Sequence, residues 1–221
     1  MQGFEYTDWG TIDYEEALFR QTTLFENLLT LKKNSKEGNN NLIFCEHTPV
    51  LTTGKNGKEG NLIIPESVLQ QHGISLFQTN RGGDITFHGP GQITGYPVFD
   101  LEHWDMGLKQ YINTLEEIII RLLALYGIKG ERLQGATGVW IEPNVKGSAR
   151  KICAIGIKSS RYVTMHGFGL NINTDLTCFS FINPCGFVDK GVTSLAKELG
   201  APQEIKLIKQ QLLSLFRDFF F

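Results

Sequence analysis

Hydrophobic positions recur at helical spacing in three stretches of the chain. Asp13 and Glu16 form an Asp-x-x-Glu capping signal, Leu18, Phe25, Leu28 and Leu29 follow on one face, and Lys32 and Lys33 put cations at the far end. The pattern predicts a helix over residues 13–33. A second is predicted over 108–126, where Ile112, Leu115, Ile119, Leu122 and Leu123 repeat at three and four and Gly127 supplies the stop. A third, over 203–219, carries Ile205, Ile208, Leu212, Leu215 and Phe219 as its apolar stripe. Between them lie short β-rich runs bounded by Gly, Pro or Asn, at 42–46, 74–79, 92–101, 138–142, 151–158 and 162–172. The polar run NSKEGNNN, 34–41, reads as a connection.

Helices at both ends and in the middle, with hairpin-like strand neighbours such as KICAIGIK and YVTMHGFG around a Ser-Ser-Arg turn, predict an α+β fold. Its sheet is expected to be mixed and largely antiparallel, flanked by helices. No linker interrupts the chain, so residues 1–221 are read as a single domain. With 41% hydrophobic residues, 221 residues suffice to build a core without staples. The net charge of −2 argues against nucleic acid or an anionic membrane as partner, since such binding needs clustered Lys and Arg. The first residues lack a basic and apolar leader pattern, and no run is long enough to span a bilayer. A cytoplasmic protein is expected.

Candidate chemistry lies first in RGGDITFHGPGQITG, 81–95, whose glycine density suits a backbone that turns sharply or approaches a ligand closely. The spacing of Gly89, Gly91 and Gly95 is one residue off a dinucleotide fingerprint, and a strand-like GYPVFDL follows where a helix would be needed. Gly54-Lys55-Asn56 likewise fails as a phosphate loop. What remains is either a glycine-rich hairpin or a loop on which Arg81 and His88 orient a polar group.

The four cysteines contain no CxxC pair, and with five scattered histidines they offer no metal spacing. Cys45 and Cys153 sit in apolar strand-like runs, where Cys packs as a small hydrophobe, and Cys178, beside Phe179 and Phe181, also reads as packing. Cys185 differs, because Asn183-Pro184-Cys185-Gly186 presents it in a turn. From its residues alone it is an unreactive loop thiol or a nucleophile, and a dyad with His88 or His166 stays open.

RGGDITFHGPGQITGYPVFDL, KICAIGIKSSRYVTMHGFGLNIN and FINPCG, in that order, together with HTPVLTTGK, resemble the lipoate-protein octanoyltransferases of the biotin/lipoate protein ligase fold. The resemblance covers about residues 40–215. It implies transfer of an octanoyl group from octanoyl-acyl carrier protein to an enzyme cysteine, then to a lysine amine of lipoyl domains. The implied acceptors are 2-oxoacid dehydrogenase E2 subunits and glycine cleavage H protein, and no cofactor or metal is implied. Carried over, Cys185 resembles the acyl-accepting nucleophile. Lys151 resembles the partner that lowers its pKa and acts as general acid and base. The substrate contacts fall on Arg81, Gly82, Gly83, Asp84, Ile85, Thr86, Phe87 and His88, on Ala154, Ile155 and Gly156, and on Gly167, Phe168 and Gly169.

Three positions depart from the family's usual residues: Asp84 stands for an amide, Phe87 for Tyr and Gly169 for Ala. The stretch IEPNVKGSAR, 141–150, is longer than usual and brings a rival cation, Lys146. Without the resemblance, Lys151 reads as a solvated strand-end lysine. Two other functions stay open: an ATP-dependent ligase on the same fold, and a silent module that docks acyl carrier protein or lipoyl domains through Arg150, Lys158 and Arg161.

Overall fold

A computed structural model describes residues 3–57, 59–183 and 190–221. In chain order its elements are β1 (Glu5–Ile12), α1 (Tyr14–Lys33), β2 (Asn41–His47), β3 (Val50–Thr53), α2 (Glu66–Gln71), β4 (Ser75–Gln78), β5 (Thr86–His88) and β6 (Gln92–Val98). There follow α3 (Leu108–Ala124), β7 (Glu131–Leu133), β8 (Ala136–Ile141), β9 (Arg150–Ser160), β10 (Val163–Asn171), β11 (Gly191–Val192), α4 (Leu195–Leu199) and α5 (Ile205–Phe220). The fold is α+β, as the pattern predicts.

One sheet runs β1-β2-β6-β10-β9-β8-β7. Its pairs are antiparallel except β1 with β2 and the short β11 with β9. A smaller sheet has the order β4-β3-β5. The hairpin β9–β10 closes between Ser160 and Val163, with Arg161 and Tyr162 both at positive φ (49° and 64°). That is the twist a two-residue hairpin requires, here without the glycine that usually advertises it.

Alternation along the strands distributes side chains between two cores. Leu42 and Phe44 of β2 face a cluster built with α3 and α5, whereas Ile43 and Cys45 face a second cluster with Ala17, Phe25 and Leu28 of α1. A third cluster, with Leu51, Leu69, Ile85, Phe87 and Phe179, fills the small sheet.

Local signals explain the helix ends. The Asp13 carboxylate accepts from the Glu15 N–H (3.0 Å) at the start of α1, and Gly127 takes φ +71° beyond α3. The buried face of α5 runs through Ile208, Leu212, Phe216 and Phe220, so Leu215 and Phe219 lie beside the predicted stripe's inward line. Steps of four follow the helical period more closely there than steps of three. In α1 the buried face includes a polar residue, Gln21, which the apolar pattern could not contain. The sequence pattern does not announce strand β1, because Tyr6, Trp9 and Ile12 are spaced by three and a register shift between Asp8 and Thr11 breaks the alternation.

Phe216 stacks on Phe168 and Phe220 (centroids 6.0 Å each) and meets Phe4 and Phe44 edge-on. Replacing it by Ala is expected to destabilise the protein by about 3–5 kcal/mol. Urea unfolding checks this; a loss under about 1 kcal/mol would contradict the packing described.

Candidate active site

The glycine-rich loop ahead of β5 lies between the two sheets. The N–H groups of Gly54, Lys55 and Asn56 donate to the carbonyls of Asp84, Arg81 and Gly83 (3.0–3.1 Å), so the end of β3 cradles it on one side. On the other, the Gly82 N–H donates to Ile157 O of β9 at 3.0 Å. Gly156 must be glycine there, since a Cβ would stand 2.7 Å from Gly82 O. Gly83 turns the chain at φ +84°. Arg81 is buried, its guanidinium donating to Thr52 O (2.6 Å), Thr52 Oγ1 (2.9 Å) and Gly82 O (3.0 Å).

A cavity of about 490 Å³ opens between this loop and strands β6, β9 and β10. Of the expected contact residues, Arg81, Gly82, Gly83, Asp84, Ile85, Thr86 and His88 line it, as do Ala154, Ile155, Gly156, Gly167, Phe168 and Gly169. Phe87 does not. It points the other way, against Phe179 in the small-sheet core, as alternation along β5 demands. Additional walls come from Tyr14, Gln92, Thr94, Tyr96, Leu108, Ile112, Asn171 and His166. The polar alternation of Gln92, Thr94 and Tyr96 along β6 was the available signal for three of them. Tyr14 and Ile112 come from helices distant in sequence and left none.

Lys151 also lines the cavity. It is 8% exposed, with its ammonium 4.7 Å from the Trp140 ring centroid, which corrects the reading of a solvated strand-end lysine. Trp140 of β8 and Val192 of β11 pair with it in register. Lys146 lies on an exposed turn and is not among the lining residues. Cys45 and Cys153 are buried in strands, with burial pushing both thiols up, and Cys178 is half-buried outside the cavity. Cys185 lies outside the described residues; its described neighbours are Asn183 before it and Lys190 and Gly191 after. Arg150 is held bidentately by Glu198 (2.6 Å) and Lys158 sits over the Phe25 ring.

Residues 13–217 match the model of the lipoyl protein ligase A/B catalytic domain. The chain belongs to that family. Within it the chain falls among the octanoyltransferases: it is 66% identical over 220 residues to a Parabacteroides distasonis protein named octanoyltransferase, all of both chains being covered. A Porphyromonas gingivalis protein of the same name is 56% identical over 97% of this chain and 44% of its own length. An archaeal bipartite lipoate protein ligase from Thermoplasma acidophilum superposes with TM-score 0.70 at 14% identity, over 99% of this chain and 84% of that one, and so shares the fold.

Within the family framework, this chain's cavity has a polar end built on histidines. His88 and His166 line it, and His47, outside the lining with its ring centroid 5.9 Å from that of His88, is buried with them; each of the three is fixed by a partner. His47 holds Ile12 O (3.0 Å) and Tyr96 Oη (2.7 Å), so its proton sits on Nδ1 and the Tyr96 hydroxyl donates to Nε2. His88 Nδ1 lies 2.6 Å from Gln92 Oε1. His166 Nε2 lies 2.8 Å from Asn80 Oδ1. His166 takes φ +61° within β10, where its N–H turns away to Gln21 Oε1 of α1 (3.1 Å). Burial, then His47 and Arg81, holds His88 down at about 3; burial, then Arg81 and Lys158, holds His166 at about 3; and burial holds His47 at about 4. Burial likewise raises Tyr14 to about 12, against the pull of Arg81.

All three imidazoles are therefore neutral in the fold and protonate on unfolding below their ordinary value of 6.5. Their contribution to stability is complete above that pH and is lost as pH falls toward 4 and 3. At pH 5 unfolding should take up about three protons, a slope of about 4 kcal/mol per pH unit. Urea unfolding at closely spaced pH values reads this slope; a value near that of a single proton would contradict the neutral cluster.

Proposed function

We propose that this protein moves an octanoyl group from octanoyl-acyl carrier protein to Cys185, as a thioester, and then to a lysine amine of lipoyl domains. The expected acceptors are those of 2-oxoacid dehydrogenase E2 subunits and glycine cleavage H protein. The observation that carries this reading is Lys151: a buried cation in the wall of a partly apolar cavity, paired in register with Val192, seven residues beyond Cys185 in sequence. The relatives named octanoyltransferase support it.

In the first half-reaction the Cys185 thiolate attacks the thioester carbonyl of the donor. The carrier's thiolate leaves and takes up a proton from the Lys151 ammonium, which leaves that lysine neutral for the second half-reaction. An ammonium beside the sulfur favours the thiolate over the thiol, as any close cation does. In the second, the acceptor amine attacks the acyl-cysteine, loses its proton to Lys151 in the neutral form, and the Cys185 thiolate departs. The acyl chain lies along Ile155, Ile157 and Phe168, with Leu108 and Ile112 above, and each methylene removed from water contributes about 0.8 kcal/mol.

With octanoyl-acyl carrier protein as sole donor, a lipoyl domain should be octanoylated without ATP. Lys151→Ala should lower the rate by about 10²–10⁴, and Lys151→Arg should not restore it, because a guanidinium does not release its proton near neutrality. Transfer seen only with free octanoate and ATP, or a Lys151→Arg enzyme at wild-type rate, would overturn the proposal.

A further inference from the structure

The face on which Lys151 stands is set by a break in strand register. Between β8 and β9 the Cα partners run Ile141 with Arg150 and Trp140 with Lys151, but then Val139 with Cys153, so Ile152 is an extra residue on β9. Side chains two apart on a regular strand share a face. A regular strand that put Cys153 in the core would therefore put Lys151 there too. Instead Ile152 and Cys153, adjacent in sequence, both enter the core that α3 and α5 cover, with Val139 in the same cluster. Lys151 comes out beside the Trp140 ring and in the cavity wall. A bulge of this kind re-aims one side chain at the expense of the ladder.

Gly138 of β8 carries the distortion on the facing strand. It takes φ +120°, and a Cβ there would stand 2.4 Å from Cys153 O and 3.6 Å from Lys151 Cδ. The bulged backbone and the lysine stem thus occupy the space that a side chain would need. On the other edge of β8, Arg132 pairs with Val139 and Leu133 with Ala136, which leaves Gly138 outside that ladder as well. Its N–H is met from α3, where Glu116 Oε1 accepts at 3.0 Å. Glu116 is 6% exposed, and its other oxygen accepts from Arg132 Nε at 3.1 Å. A carboxylate is taken out of water only where donors of this kind meet it, and neither half-reaction uses this one.

We propose that Glu116 and Gly138 are positioning residues for Lys151: the carboxylate holds the Gly138 peptide, the glycine leaves room for the β9 bulge, and the bulge turns the ammonium to the cavity. Neither residue lines the cavity itself. This rests on the reading of Lys151 as the acid and base of the transfer. A displacement of about 1 Å at a reacting group can cost about a hundredfold in rate, so loss of the brace should appear in kcat and not in donor binding.

A double-mutant cycle with Lys151 tests it. Glu116→Leu removes the acceptor while Arg132 keeps Glu117 as a partner (2.9 Å). It should lower kcat for octanoyl transfer from octanoyl-acyl carrier protein to a lipoyl domain about 10- to 100-fold, with donor KM changed less than about threefold. Glu116→Gln still offers Gly138 an oxygen and should stay within about threefold of the wild-type kcat. In a Lys151→Ala background, Glu116→Leu should slow transfer by less than about a further threefold, because residues that act through one group are not additive. A residue that only supports the fold would subtract its full effect again. Should Glu116→Leu fail to fold, Gly138→Ala, whose methyl displaces Cys153 O, takes its place in both backgrounds. Glu116→Leu at wild-type kcat, Glu116→Gln as slow as Glu116→Leu, or equal losses with and without the lysine would overturn the positioning role. Lys151→Ala at the wild-type rate would instead overturn the functional reading beneath it.

Discussion

The buried guanidinium of Arg81 is the constraint from which much of the site follows. A charge taken out of water must be satisfied locally, and this one is met by Thr52 O and Oγ1 of β3 and by the carbonyl of Gly82. Those partners fix the small sheet against the loop, and the loop in turn reaches β9 through Gly82 and Ile157. The same charge, added to burial, helps keep His88 and His166 neutral. One side chain thus closes the junction between the sheets and adds to the burial that keeps the neighbouring imidazoles neutral.

On that junction the chain builds a cavity with two characters. Ile155, Ile157 and Phe168 give an apolar wall, while Tyr14, His88, Tyr96 and His166 form a polar one in which Tyr96 bonds His47, His88 bonds Gln92 and His166 bonds Asn80. Lys151 is held between them by strand register and not by a loop: Trp140 on one side and Val192 on the other locate its backbone, and the indole face locates its ammonium. A cation placed by a sheet is more rigid than one at a loop tip, and rigidity is what proximity catalysis requires.

The long elements were readable from local pattern because each buries one face. The 13–33 and 108–126 stretches match α1 and α3 within two residues at each end, and the 151–158 and 162–172 runs match β9 and β10. Short pieces were not readable. β3, β5 and β7 have three or four residues each, too few for a period to emerge, and their existence depends on partners far along the chain. For the site, motif order identified the loop, the β9 segment and the β10 segment that do meet around one cavity. It could not identify Phe87 as a core residue, because the direction of a side chain on a three-residue strand is fixed by the sheet it joins. Nor could it find Tyr14 or Asn171, whose places in the wall arise from tertiary contacts alone. The burial of Lys151 was hidden for the same reason, since a lysine opening a strand is ordinarily exposed.

The central claim is that the octanoyl group passes through a covalent bond to Cys185 under the influence of Lys151. Intact-mass measurement after exposure to octanoyl-acyl carrier protein, without acceptor, tests it most directly. The wild-type protein should gain one octanoyl unit, released by hydroxylamine, and Cys185→Ala should gain none. An octanoyl adduct on the Cys185→Ala protein, or none on a wild-type enzyme that turns over, would contradict the account.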